Sequence, residues 1–206
     1  MCLLMFDYDG VIVDSYRVHV DNFVAAFHEY GFYQVKDEHD IVALYDDNVY
    51  TSMEALGLTK EEVEKVRLSY DRRQKPYLDK IAPFPGIKEA LEEMKKRHKI
   101  VVITANSAPA VARVLEVSGM SSTVDEIIGA ETETSKTKRI MRMMEKYAEE
   151  EPYYTGDTVG DIKEGRAAGA KTIGVAWGWH GDKLLTEHPD YYMRTPAEMA
   201  EIFSAK

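Results

Sequence analysis

Cysteine is nearly absent from this chain of 206 residues, where Cys2 is the single one. An intrachain disulfide and a cysteine metal cluster are thereby excluded. Beside the first methionine, Cys2 reads as a small buried hydrophobe. Positive charge is also short, with 26 Lys and Arg against 36 Asp and Glu, a formal net charge of −10. Such a field repels nucleic-acid backbones and anionic membranes unless a local basic patch overrides it, and no basic run of that length occurs. Long hydrophobic runs are missing too: no apolar stretch approaches the roughly 20 residues of a membrane span. The apolar opening Met1 to Phe6 is too short for a signal peptide and runs straight into Asp7, so the expected compartment is the cytoplasm. What remains is ordinary. The chain is 45% hydrophobic and 30% charged, a composition that buries a core without staples.

Leu3-Leu4-Met5-Phe6 is an apolar run that stops at Asp7-Tyr8-Asp9-Gly10. Such runs suit strands buried on both faces of a parallel sheet. Ile100-Val101-Val102-Ile103 is a second one, ended by Thr104. Further strand candidates are Ile127-Ile128, Tyr153-Tyr154-Thr155, Thr172 to Val175, and an edge strand over Asp190 to Met193. Helical patterns lie between them. They run over Ile87 to His98, Ala108 to Ser118 (capped by Ser107), Ser135 to about Glu149, Asp161 to Ala168, and onward from Thr195-Pro196. This alternation predicts a doubly wound, Rossmann-like parallel α/β sheet. Residues 15–82 break it. Val18 to Tyr30 reads as an amphipathic helix, and Thr59-Lys60-Glu61-Glu62 is a capping box opening another, to about Lys75. The expected organisation is an α/β core over 1–14 and 83–206, with a small all-α cap over 15–82 inserted after the first strand. Ile81 to Gly86 would be the returning linker.

Asp7 and Asp9 follow the first strand, and residues two apart in extended chain point to one side. Two carboxylates so placed repel each other unless a hard cation such as Mg²⁺ sits between them. Alone, the pair is equally a solvated acidic turn. Gly156-Asp157-Thr158-Val159-Gly160-Asp161 repeats the pattern after the Tyr153 strand, where Asp161 also suits a plain helix N-cap. Thr104, Ala105 and Asn106 join the Ile100 strand to a helix N-terminus, an arrangement that can bind an anion or simply cap the helix. Lys136 and Lys138 open the next helix, where cations oppose the macrodipole and call for a counter-charge. In a parallel sheet all these strand ends share one edge. Carboxylates, hydroxyl and amine around one crevice describe a phosphate site.

This order resembles the haloacid dehalogenase superfamily over nearly the whole chain. Asp7-Tyr8-Asp9-Gly10-Val11 is similar to its first motif, Val102-Ile103-Thr104 to its second, Lys136 to its third and Gly156 to Asp161 to its fourth. The third reads Ser135-Lys136-Thr137-Lys138 in place of the usual Lys-Pro, so Lys138 competes with Lys136. Val13-Asp14-Ser15, Phe84-Pro85-Gly86 and Gly165 to Gly169 resemble the phosphoglycolate phosphatase-like branch, whereas Val11 is also seen in the beta-phosphoglucomutase-like branch. The resemblance implies that Asp7 is the nucleophile and that Asp9 is the general acid and base. It implies Mg²⁺ held by Asp7, the Asp9 carbonyl and Asp157. Thr104, Ala105, Asn106 and Lys136 would bind phosphate, and Asp161 would orient Lys136 or a metal-bound water. The expected activity is hydrolysis of a small phosphorylated metabolite, with a sugar-phosphate mutase or a non-catalytic interaction protein as alternatives. Neither nucleic acid nor membrane is an expected partner, and the chain is expected to be a monomer or homodimer.

Trp177 and Trp179 could rim the crevice or pack locally beside an exposed His180. The other histidines, including His19 and His98, read as surface residues, and Arg17 as a solvated helix residue. Tyr45, Tyr50, Tyr70 and Tyr77 read mostly as core or surface, with substrate contact open to any of them. Met141, Met143 and Met144 read as helix core filler.

Overall fold

The computed structural model describes residues 1–131 and 133–205. Six parallel strands form one sheet: β1 (Cys2–Phe6), β4 (Lys99–Ile103), β5 (Glu126–Ile128), β6 (Glu151–Gly156), β7 (Lys171–Val175) and β8 (Tyr191–Met193). Their order across the sheet is β5-β4-β1-β6-β7-β8. All five residues of β1 are buried, as a central parallel strand requires. Alternate side chains enter opposite layers. Leu4, Phe6, Ile100 and Val102 pack with α5 (Ile87–Lys95), α6 (Ala108–Val117) and α9 (Pro196–Ser204). Leu3, Met5, Val101 and Ile103 pack with α7 (Lys136–Lys146) and α8 (Val159–Ala168). The doubly wound α/β fold expected from the alternation is present.

Chain order places β4 and β5 on one side of β1 and then β6 on the other. That reversal opens a crevice at the strands' C-terminal edge.

Residues 16–80 are helical: α1 (Tyr16–Glu29), α2 (Glu38–Ala43), α3 (Val49–Ala55) and α4 (Lys60–Gln74), with short 3₁₀ turns. The Thr59 capping box is formed in both directions. These helices bury an apolar cluster almost wholly their own, including Val20, Phe27, Ile41, Met53 and Val66. Where the sequence suggests loose joints, the two crossings into this segment pair with each other. β2 (Val13–Asp14) and β3 (Ala82–Pro83) form an antiparallel ribbon. Two-residue strands, one of them ending in proline, carry no readable periodicity.

Other boundaries shift for physical reasons. The N-cap of α8 is Thr158 rather than Asp161. Thr158 accepts from the Asp161 N–H, and Asp161 answers as the third-position partner of a capping box. Ser107 precedes α6 but makes no side-chain cap. Ser135 does cap α7, accepting from the Lys138 N–H. Met143 is buried, whereas Met141 lies exposed on the outer face of α7, so the Met-rich stretch fills the core only in part. Among the described residues no helix is long and apolar enough to cross a membrane.

Candidate active site

Asp7 is the first residue past β1, and its N–H donates to the Thr155 carbonyl at 2.8 Å, beside β6. The chain then doubles back. The Tyr8 carbonyl accepts from the Ile12 and Val13 amides, and Gly10 turns with φ +76°. A side chain at Gly10 would put its Cβ 2.0 Å from Asp157 Oδ2, so glycine is required twice over, for the turn and for the approach. The turn aims Asp9 into a small web. The Ser15 hydroxyl donates to Asp9 Oδ1, and Asn106 Nδ2 donates to Oδ2 at 3.2 Å.

Thr104 follows β4. Its N–H donates to the Ile128 carbonyl and its hydroxyl oxygen accepts from the Asn106 N–H at 3.0 Å. Among the described residues neither the Thr104 hydroxyl proton nor the Ala105 N–H has a partner. The Asn106 side chain, besides reaching Asp9, is paired both ways with Gln74. Lys136 begins α7 and is buried, with Nζ 3.1 Å from Asp7 Oδ2 and 2.6 Å from Asp161 Oδ1. Lys138 points away: its side chain is 71% exposed and lies 3.5 Å from Glu133. Geometry therefore selects Lys136 of the two. Asp161 is further held by the Thr158 hydroxyl at 2.7 Å and the Tyr154 hydroxyl at 3.2 Å.

All eight candidates thus meet at one edge: Asp7, Asp9, Thr104, Ala105, Asn106, Lys136, Asp157 and Asp161. Asp7, Asp157 and Asp161 each bring a carboxylate oxygen within 4.8 Å of the other two. Asp157 is fully buried; its Oδ2 accepts from the Trp179 N–H at 2.7 Å, and its Oδ1 has no partner among the described residues. A buried, unpartnered carboxylate oxygen beside two more carboxylates fits a hard divalent cation. Asp9's side chain stands apart from that trio, engaged by Ser15 and Asn106.

The electrostatics follow from burial and crowding. Burial pushes the Asp7 carboxyl up to about 7, with Lys136 pulling the other way and Asp161 and Asp9 adding to the rise. Burial also raises Asp157 strongly, helped by Asp161 and Asp7. Asp9 is raised by burial against its bonds from Ser15 and Asn106. For Asp161 burial acts upward, but Lys136 and Thr158 outweigh it and hold the carboxyl below its usual range. Burial acts to discharge Lys136, yet Asp161 and Asp7 prevail and keep it protonated. Of the three carboxylates that crowd together, Asp161 is the one held toward its charged form, by Lys136 and Thr158.

A cavity of ≈ 30 Å³ lies over Asp7 and Asp9, bounded by Tyr45, Tyr50, Tyr70, Trp179 and His19. Three histidine readings need correction. His19 is buried, with Nδ1 2.9 Å from the Tyr70 hydroxyl and Nε2 2.9 Å from the Tyr45 hydroxyl. His98 is buried between the Cys2 N–H and the Phe203 carbonyl. His180 is buried against the Val159 N–H and the Val42 carbonyl. Arg17 is solvated as expected, and Tyr77 is exposed, away from the cavity. Cys2 is buried. Sequence reasoning missed Gln74, and it missed Arg139, which is fully buried and donates to the Thr104 and Ile128 carbonyls.

Burial pushes His19 down from its ordinary 6.5 to about 3. The folded state therefore binds fewer protons than the unfolded chain between those values, so His19 costs stability progressively as pH falls below about 6.5. Between about pH 6.5 and pH 5 the loss amounts to roughly 2 kcal/mol. Urea unfolding of wild type and His19→Gln at both pH values checks this. Wild type is expected to lose about 2 kcal/mol more than the variant on acidification; equal losses would contradict a neutral buried His19.

The chain is similar over almost its whole length to known proteins. A phosphoglycolate phosphatase from Synechococcus elongatus is 23% identical over 205 residues, covering 98% of this chain and 96% of that protein. Pyrophosphatase PpaX from Bacillus anthracis is 23% identical over 210 residues, covering 98% and 95%. Among solved structures, a haloacid dehalogenase-like family protein from Streptococcus pneumoniae superposes with a TM-score of 0.80 at 23% identity, covering 98% of each chain. A hydrolase from Pseudomonas syringae gives 0.80 at 15% identity, covering 100% of this chain and 99% of that one. The sequence model of haloacid dehalogenase-like hydrolases matches residues 4–175, and the chain belongs to that family.

Proposed function

We propose that this protein is a divalent-metal-dependent phosphatase acting on a small phosphate monoester, with Asp7 as nucleophile. The observation that carries this reading is the buried Asp7 carboxylate, 3.1 Å from the Lys136 ammonium and beside Asp157 with its unpartnered oxygen. Mg²⁺ held by Asp7, the Asp9 carbonyl and Asp157 would supply charge neutralisation between an anionic nucleophile and an anionic ester. The chain's own residues do the rest. Asp7 attacks phosphorus and forms an aspartyl phosphate. Asp9, whose burial favours the protonated form, gives its proton to the leaving alkoxide. It then takes a proton from the water that cleaves the acyl phosphate, which returns Asp7. Lys136, the Thr104 hydroxyl and the Ala105 N–H face the phosphoryl oxygens, where charge must be stabilised. Asp161 fixes Lys136.

The cavity holds only about one or two waters, so an ester enters only if residues 15–82 swing away as a cap. That segment is tethered to α8 and to the 3₁₀ turn at Gly181–Glu187. Lys163 Nζ donates to the Asp46 carbonyl at 2.9 Å, Lys183 pairs with the Asp46 carboxylate, and Asn48 Nδ2 donates to Glu164 at 2.8 Å. Closure excludes water and strengthens the electrostatics inside. Val11, the residue shared with the mutase branch, is buried in the main core.

Release of phosphate from a metabolite panel, with and without Mg²⁺, tests the reading. Turnover is expected to stop in chelator. Mg²⁺ is also expected to raise the thermal midpoint of wild type but not of Asp157→Asn, a readout independent of turnover. Full activity in excess chelator, or equal stabilisation of both proteins, would count against the metal role.

A further inference from the structure

The wall opposite Asp9 has its own chemistry. Residues from α1, α4 and the turn around Tyr45 meet Trp179 there as a run of rings. His19 lies 4.7 Å from Trp179 between centroids, Tyr45 meets Trp179 edge-on at 5.1 Å, and Phe23 lies 5.3 Å from Tyr70. Burial holds His19 neutral, and a neutral imidazole carries one N–H. Within Tyr45–His19–Tyr70, one tyrosine therefore donates to His19 and the other accepts from it. One hydroxyl proton of that triad is left for a ligand, and the buried Trp179 Nε1–H on the same wall has no partner among the described residues.

The charge on this wall is already spent. Arg67 is the one cation that lines the cavity from this side among the described residues. Its Nε and Nη2 donate to Glu64 at 2.8 and 2.6 Å, and its Nη1 meets Asp71 at 3.1 Å. Two carboxylates face one guanidinium, so no positive charge remains for an incoming anion. Lys136 belongs to the floor, shared by Asp7 and Asp161.

We propose that the site prefers phosphate esters whose alcohol is an uncharged ring, and discriminates against leaving groups that carry a carboxylate or a second phosphate. This preference rests on the phosphatase reading of the site. A ring gains edge and face contacts with the wall. A second anion would be stripped of water against those rings with no counter-charge. A tyrosine hydroxyl and an indole N–H are dipoles and do not neutralise a charge. The chain would thus differ in substrate from the similar proteins described as phosphoglycolate phosphatase and pyrophosphatase, since both of those names specify substrates with an additional anionic group.

The test compares benzyl phosphate, 2-phosphoglycolate and pyrophosphate at saturating Mg²⁺. Benzyl phosphate and 2-phosphoglycolate are both esters of primary alcohols, so their ratio reads the pocket rather than the leaving group. The expected kcat/KM for benzyl phosphate exceeds that for 2-phosphoglycolate by about 100-fold or more. If 2-phosphoglycolate or pyrophosphate is turned over as well or better, this inference is overturned while the phosphatase reading stands. If no phosphate compound is hydrolysed, the phosphatase reading fails, and binding decides the wall separately. By calorimetry, the Asp7→Asn protein with Mg²⁺ is expected to bind benzyl phosphate at least about tenfold tighter than 2-phosphoglycolate; equal or reversed affinities overturn the inference. The Glu64→Gln/Asp71→Asn double variant releases Arg67 and is expected to narrow the gap about tenfold. An unchanged gap in that variant overturns the role assigned to charge on this wall.

Discussion

Asp7→Asn is expected to lower phosphatase turnover by about 10⁴-fold or more, because it removes the oxygen proposed to attack phosphorus while leaving the shape nearly unchanged. The same substitution is expected to leave stability intact, or to raise it at about pH 8. Burial pushes the Asp7 carboxyl up to about 7, well above the value near 4 of an unfolded chain. A group raised in this way contributes fully below its unfolded value, and that contribution is lost as pH rises through the folded value. Above about pH 7 the metal-free protein therefore carries a buried charge that folding disfavours, and neutral Asn relieves it. The Tyr8 N–H that donates to Asp7 Oδ1 at 2.7 Å still finds an oxygen if the amide turns accordingly. Lys136 keeps its shorter contact, to Asp161. Steady-state kinetics and thermal melting on the same preparation separate the two effects. A well-folded Asp7→Asn enzyme with near wild-type turnover would sink the nucleophile assignment. A variant several degrees less stable than wild type at pH 8 would sink the account of its burial.

The parts legible in the sequence are those that depend on local pattern. β1 and β4 are continuous apolar runs because both their faces are covered, and only a sheet with helices on both sides does that. Parallel strands end at one edge, so the residues after each run, Asp7, Thr104 and Asp157, converge without any knowledge of distances. The Thr59 capping box is legible because its two partners are three residues apart. What is not legible depends on partners far along the chain. His19 looks like a surface residue until Tyr70 and Tyr45 supply its two nitrogens. His98 is satisfied by Cys2 and Phe203, about a hundred residues away on either side. Gln74 bonds Asn106, which in turn holds Asp9, so a residue of α4 reaches the proposed general acid at one remove. The α8 cap at Thr158 is by contrast local, since its capping-box partner Asp161 is three residues away. The other carboxylate oxygen of Asp161 is claimed by Lys136, from a different helix.

That lysine is the other place where a single substitution should be severe. Lys136→Met conserves much of the volume and removes the only ammonium within reach of the Asp7, Asp157 and Asp161 carboxylates among the described residues. Removing one partner of a buried pair leaves an uncompensated charge, at a cost of about 3–5 kcal/mol. The cost depends on pH. Without the ammonium, the folded carboxyls titrate higher than in the unfolded chain, so the folded state binds more protons and stability falls as pH rises. Urea unfolding is therefore expected to show the full loss at about pH 8 and a smaller one, by roughly half, at about pH 5. Adding Asp161→Asn should recover part of it, because the orphaned carboxylate is then gone. The proposed phosphoryl site also loses a donor, and kcat/KM is expected to fall by about 10²–10³-fold. Lys138→Met, two residues along the helix and facing solvent, is the matched control and should change stability by no more than about 0.5 kcal/mol, with activity intact. If Lys136→Met behaves like Lys138→Met at both pH values, Lys136 is not the charge that holds these carboxylates together.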